Sequence, residues 1–236
     1  MPSKKPISSN IEPEQLNAVL MSFIHDIKNS LLVSLNGLDE LYMAMERILP
    51  QQEDSFNQIQ LQLRRINSDL VQLLSLYKME TKLFSLHADQ YNCYDFFDEL
   101  VINNAPLTKQ AHFSFELDCD EDIDWFFDHD LIATVINSTI NNSIRYTHSK
   151  ILLCARINNG FLEITIEDDG DGFPKKMFVH HESLKTAIDM KSGSTGLGLY
   201  FAEQIANIHH SGDKKGHITI DNNSKLGGGR FTLFLP

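Results

Sequence analysis

"EDDGDGFP", residues 167–174, closes a run, "FLEITIED" (161–168), whose apolar and polar residues alternate as in a half-buried strand. The octet therefore stands where a strand ends. Within it Asp168, Gly170 and Gly172 spell D-x-G-x-G. Glycine lets the backbone pass close to a neighbour or a ligand. Glycine turns beside strands are common, so the meaning of this one depends on what accompanies it.

Two further glycine stretches follow. "GSTGLGLYF" (193–201) carries Gly193, Gly196 and Gly198 and runs into the helical pattern "LYFAEQIANIHH". Backbone N–H groups at such a helix start favour anions such as phosphate. "GGGRFTLFLP" (227–236) opens a last strand with Gly227 to Gly229. These glycines do not form G-x-G-x-x-G between the first strand and helix of a βαβ unit, and no Walker A lysine is present. Any one of these stretches is a weak signal, but their order and spacing together are a strong one.

Working outward, "HFSFELD" (112–118) and "KILLCARI" (150–157) read as strands, and helical patterns lie near 94–110, 129–145 and 196–209. Residues 87–236 are thus expected to form an α+β domain. The irregular stretch 173–193 reads as a functional lid or a disordered segment. Upstream the pattern changes. Apolar residues recur at helical spacing from Leu16 through Leu20, Phe23, Ile27, Leu31, Leu38, Leu41 and Met45 to Ile48, and Pro50 ends the run. After "QQEDS", a second series steps by three and four through Phe56, Ile59, Leu63, Ile66, Leu70, Leu73 and Tyr77, the spacing of a coiled-coil seam. Residues 13–86 therefore predict a helical hairpin behind a polar tail, 1–12. Its small core predicts pairing with a second copy into a four-helix bundle, hence a homodimer.

"FIHDIKNSL" (23–31) lies in the first helix. At about 100° per residue, His25 and Asn29 fall on the outward face, with Leu32 and Asn36 continuing it. Asp26 adjoins the histidine. A carboxylate that accepts from imidazole Nδ1–H leaves Nε2 as a nucleophile. Taken alone, the stretch also fits an ordinary solvated helix face.

Composition narrows the classes. Of 236 residues, 42% are hydrophobic and the formal net charge is −12, which argues against unaided binding to nucleic acid or an anionic membrane. Cys93, Cys119 and Cys154 form no CxxC pair and read as buried thiols of a reducing compartment. The polar start carries no signal-peptide pattern, and no apolar run approaches the roughly 18 residues of a membrane span. A cytoplasmic location is expected.

Together these stretches resemble the sensor histidine kinase family from about residue 14 to the end. "HDIKNSL" is similar to the phosphoacceptor H box, "NNSIRYT" (141–147) to the N box, and "DDGDG", "GSTGLGL" and "GGGRF" to the glycine boxes. The resemblance implies a dimerisation and histidine phosphotransfer hairpin followed by an α/β-sandwich ATP-binding domain of the GHKL type. It implies that Asp168 accepts from the adenine amino group, with Gly170 and Gly172 letting the chain pass the nucleotide. Asn142 would ligate Mg²⁺, Arg145 would reach the phosphates, and Tyr146 would lie against base or sugar. Gly193, Thr195, Gly196 and Gly198 would complete the nucleotide site, the last two holding the triphosphate. His25 would be phosphorylated from ATP and pass the phosphoryl group to an aspartate of a response-regulator receiver domain. Asp26 would handle the ring proton, and Asn29 would orient a water for dephosphorylating that partner. Two residues depart from the family pattern: Ser138, where a first N-box asparagine is common, and Ser30, where proline is frequent. No sensor domain precedes the hairpin, so a separate sensor protein acting in trans is expected, the alternative being that the chain is a fragment of a longer kinase. A phosphotransfer adaptor that uses His25 without ATP is the alternative.

Overall fold

The computed structural model describes residues 24–38, 53–81, 85–111, 113–174 and 197–236. Its contacts gather into two compact units, Met1–Leu74 and Ser75–Pro236.

In the first unit residues 24–38 form a helix, α1. Leu35 is buried, whereas His25, Asp26, Asn29, Leu32 and Val33 are exposed. The outward face read from the sequence is thus the face presented to water. The second helix, α2, spans Glu53–Glu80, about 42 Å at 1.5 Å per residue. Its heptad steps have a visible consequence. Ile59, Ile66 and Leu73, seven residues apart, stay 54%, 46% and 46% exposed in the single chain, while Leu74 beside them is buried. The predicted helical residues before Ile24, and those over 39–49, lie outside the described residues.

The second unit centres on a five-stranded sheet ordered β2-β4-β5-β9-β8. Its strands are β2 (Ser114–Cys119), β4 (Lys150–Asn158), β5 (Phe161–Asp168), β8 (His217–Asp221) and β9 (Arg230–Leu235). β2 and β4 are parallel and every other pair is antiparallel. Asn159 and Gly160, both at positive φ, turn β4 into β5 as an Asn-Gly hairpin loop. Alternation along β5 buries Leu162, Ile164 and Ile166 with Leu153, Ala155, Phe231 and Leu233 of its neighbours. Three helices supply the other layer. α3 (Cys93–Ala111) packs by β2, α4 (His129–Ser143) by β5, and α5 (Leu197–Ile208) by β8 and β9. On the opposite face polar residues pair across strands. Arg156 bonds Asp118, Lys225 meets Asp118 at 3.1 Å, and Arg230 meets Asp221 at 2.8 Å.

Two small ribbons complete the unit, β1 (Asp89–Asn92) with β3 (Asp124–Phe127), and β6 (His210–Ser211) with β7 (Lys214–Lys215). The sequence pattern predicts neither ribbon, nor β8. Strands of two to five residues are too short for alternation to register. The predicted helix over 129–145 ends in the structure at Ser143, where the backbone tightens into a turn at Ile144–Tyr146.

Candidate functional site

Asp168 is the last residue of β5 and is buried. Its N–H donates to the Gly229 carbonyl at 3.0 Å, and its own carbonyl accepts from Gly228 N–H and Ser224 Oγ, each at 3.0 Å. The backbone is therefore locked to the β8–β9 loop. Its carboxylate is used unequally. Oδ1 accepts from the N–H groups of Gly170 and Gly229, both at 3.0 Å, whereas no hydrogen bond from a described residue reaches Oδ2. A carboxylate so anchored keeps one oriented acceptor for a donor from elsewhere.

The glycines around it are required by the chain's own packing. A Cβ on Gly170 would stand 2.1 Å from the Tyr146 carbonyl oxygen, and one on Gly228 would stand 2.4 Å from Asp168 Oδ1. The strand end, the turn after α4 and the β8–β9 loop thus meet with no room for side chains. Gly172 adopts φ +76°, and its neighbour is the Asn222 carboxamide. The close approaches at Gly170 and Gly172 are therefore to Tyr146 and Asn222.

Asp169 faces the other way. It accepts from Thr147 Oγ1 at 2.6 Å, His148 N–H at 2.8 Å, and Ser149 through both its N–H and its hydroxyl. Partial burial alone would raise its pKa. The bonds from Ser149 and Thr147 outweigh that and hold the carboxyl well below the usual carboxylate range. Asp169 thereby ties the segment after Tyr146 to the end of β5. Asn142 in the last turn of α4, and Arg145 and Tyr146 in the turn that follows, are all exposed. The Arg145 guanidinium lies 5.8 Å from the Tyr146 ring centroid. The Asn142 carboxamide bonds to no described residue, so its oxygen is available to a hard cation such as Mg²⁺ if a ligand and water supply the other oxygens. Ser138, one turn earlier, is buried. Gly198 is the second residue of α5, whereas Gly193, Thr195 and Gly196 lie outside the described residues.

The opposite end of α4 is held by residues that the sequence motifs leave unmarked. Asp128 caps the helix by accepting from Leu131 N–H at 3.2 Å, and its second oxygen accepts from His87 N–H at 2.9 Å. The Asp128 N–H in turn donates to Nε2 of the buried His209 at 3.1 Å. The His209 proton therefore sits on Nδ1, which donates to the Ile205 carbonyl at 2.7 Å. Burial pushes this histidine's pKa down.

On α1, His25 and Asp26 are exposed side by side, but their closest approach from Nδ1 to carboxylate is 4.0 Å, beyond a hydrogen bond. The group at hydrogen-bond distance from Nδ1 is the Asn29 carboxamide, at 3.2 Å. In this arrangement Asp26 stands beside the ring without bonding to it. The reason is helical geometry. Residues four apart stand above one another, whereas adjacent residues diverge by about 100°.

Residues 127–236 match the family described as histidine kinase-, DNA gyrase B-, and HSP90-like ATPase. Sensor histidine kinase WalK of Bacillus subtilis (strain 168) is 24% identical over 215 residues, 84% of this chain and 34% of the relative. Sensor histidine kinase CpxA of Escherichia coli (strain K12) is 24% identical over 229 residues, 94% of this chain and 48% of the relative. The chain thus spans about a third to a half of these relatives' length. Among solved structures, histidine kinase AdeS of Acinetobacter baumannii superposes with a TM-score of 0.57 at 21% identity, covering 89% of this chain and 96% of that one. The catalytic domain of histidine kinase ThkA gives 0.52 at 19% identity, covering 64% and 95%. The fold of the second unit is that of the histidine kinase catalytic domains.

Proposed function

We propose that this chain is a protein-histidine kinase of a two-component system, since residues 127–236 match the histidine kinase-, DNA gyrase B-, and HSP90-like ATPase family. It binds ATP in the second unit, phosphorylates His25, and passes the phosphoryl group to an aspartate of a response-regulator receiver domain. The observation that carries the reading is Asp168. Its Oδ1 is occupied by two backbone N–H groups and its Oδ2 awaits a donor, which suits the amino group of adenine. Arg145, beside the Tyr146 ring, supplies charge for the phosphates. Asn142 would ligate Mg²⁺, which when bound offsets charge on the transferred phosphoryl group. Gly193, Thr195, Gly196 and Gly198 would complete the site.

In the reaction His25 Nε2 attacks the γ-phosphorus, the bond to the ADP oxygen breaks, and ADP leaves. Asp26, after rotation of its exposed side chain, holds the Nδ1 proton as positive charge grows on the ring. Asn29, one turn away, would orient a water for the reverse task of dephosphorylating the receiver domain. The exposed Leu32 and Val33 beside them offer an apolar surface for that partner. The domain organisation follows: a hairpin over 13–86 and an ATP-binding domain over 87–236. The stripe of Ile59, Ile66 and Leu73 supports dimerisation, since a second copy would remove these side chains from water. No described helix is long and apolar enough to cross a membrane. A cytoplasmic location belongs to the same proposal.

The test is incubation with γ-labelled ATP and Mg²⁺. An acid-labile, base-stable label that disappears in His25→Ala supports the reading. Label that persists in the variant would place the acceptor on another residue, and failure to bind nucleotide would leave His25 as a phosphotransfer adaptor.

A further inference from the structure

Asn222 follows β8 and lies outside every glycine box, yet its side chain is bonded twice to one residue of the site. Phe173 N–H donates to its Oδ1 at 2.7 Å, and its Nδ2 donates to the Phe173 carbonyl at 3.0 Å. A carboxamide carries one acceptor and one donor side by side, the complement of a residue's own N–H and C=O. Asn222 thus pairs with Phe173 as a strand would. The preceding residue must make way. A Cβ on Gly172 would lie 2.7 Å from both Cγ and Oδ1 of Asn222. The second glycine of D-x-G-x-G therefore admits this amide.

The consequence reaches Asp168 through the Phe173 ring. A Cβ built on Gly229 would stand 3.0 Å from Phe173 Cε2 and 3.1 Å from Asp168 Oδ2. The ring edge and the free carboxylate oxygen therefore flank the same point above Gly229. From this geometry we infer that Asn222 is a positioning residue for the nucleotide pocket. It fixes the backbone of Phe173 so that the ring stands as a wall beside Asp168 Oδ2. The inference rests on the nucleotide-binding reading above. Asn222 completes a set of grips by the β8–β9 loop, with Ser224, Gly228 and Gly229 holding Asp168 itself.

The test uses the full chain and a fluorescent ADP analogue, with amide exchange at Phe173 followed by NMR. Asn222→Ala should weaken ADP binding about three- to tenfold, the equivalent of about one net hydrogen bond. It should also speed exchange of the Phe173 amide, and it should leave the melting temperature without nucleotide nearly unchanged, because Asn222 is exposed. Asn222→Asp keeps the acceptor for Phe173 N–H but loses the donor. It should retain the slow exchange and bind with intermediate affinity. Wild-type binding matched by Asn222→Ala would overturn the inference, and so would weakened binding accompanied by an equal loss of fold. If the wild-type chain itself binds no ADP, the nucleotide reading falls, and unchanged Phe173 exchange in Asn222→Ala would separately refute the clamp.

Discussion

Asp168 and Asp169 are neighbours that face opposite ways, and each predicts a different loss. Asp168→Asn replaces the free acceptor with a group that can present a donor. A hydrogen bond to a charged group is worth about 1.5–3 kcal/mol. ADP affinity measured by calorimetry should therefore fall about tenfold or more, with the fold retained. Asp169 contributes stability, with a defined sign in pH. Its folded pKa lies below the unfolded value. That contribution is full above the unfolded carboxylate range and is lost as pH falls through and below about 4. Thermal melts at descending pH should show the wild type losing ground to Asp169→Asn there, and an unchanged gap between them would refute the assignment. Asp168 was legible in the sequence because D-x-G-x-G is a local pattern. Asp169 was not, since its partners, Thr147 to Ser149, lie some twenty residues away and meet it only in the fold. Asn222 escaped for the same reason.

Among the elements, α4 shows how a helix that presents exposed residues at one end is secured at the other. Asp128→Ala removes the cap and should destabilise the second unit by about 1–2 kcal/mol in chemical denaturation. His209 adds a pH dependence to this junction. Its folded pKa is depressed, so its share of stability is intact above about 6.5 and declines as pH drops below that value. On α2, Ile66→Asp places a charge in the middle of the exposed stripe. Sedimentation should show a dimer of the wild type shifted towards monomer, and a variant that remains fully dimeric would reject this stripe as the seam. The long helices were readable because their periodicity extends over many turns. β1, β3 and β8 were not, because in four or five residues half the pattern comes from the partner strand.

At the scale of the molecule, the α+β class could be read from the alternation of strand and helix patterns. The strand order could not. Setting β9 between β5 and β8 depends on pairings across more than sixty residues, such as Ile164 with Leu233. Two units also predict a separation of effects. His25→Ala should abolish labelling while leaving ADP affinity within about twofold, because His25 belongs to the first unit and Asp168 to the second. The bond from His87 N–H to Asp128 carries one more consequence. It marks a seam along which the chain can be cut. A fragment beginning at residue 85 keeps that bond, the β1–β3 ribbon and the Tyr91 ring 5.3 Å from Phe127. Begun at Cys93, the fragment would forfeit all three and open one side of Phe127, now fully buried. The longer fragment should be monomeric and bind ADP like the whole chain, whereas the shorter one should precipitate on expression. Eight residues of apparent linker would then separate a portable domain from an insoluble remnant.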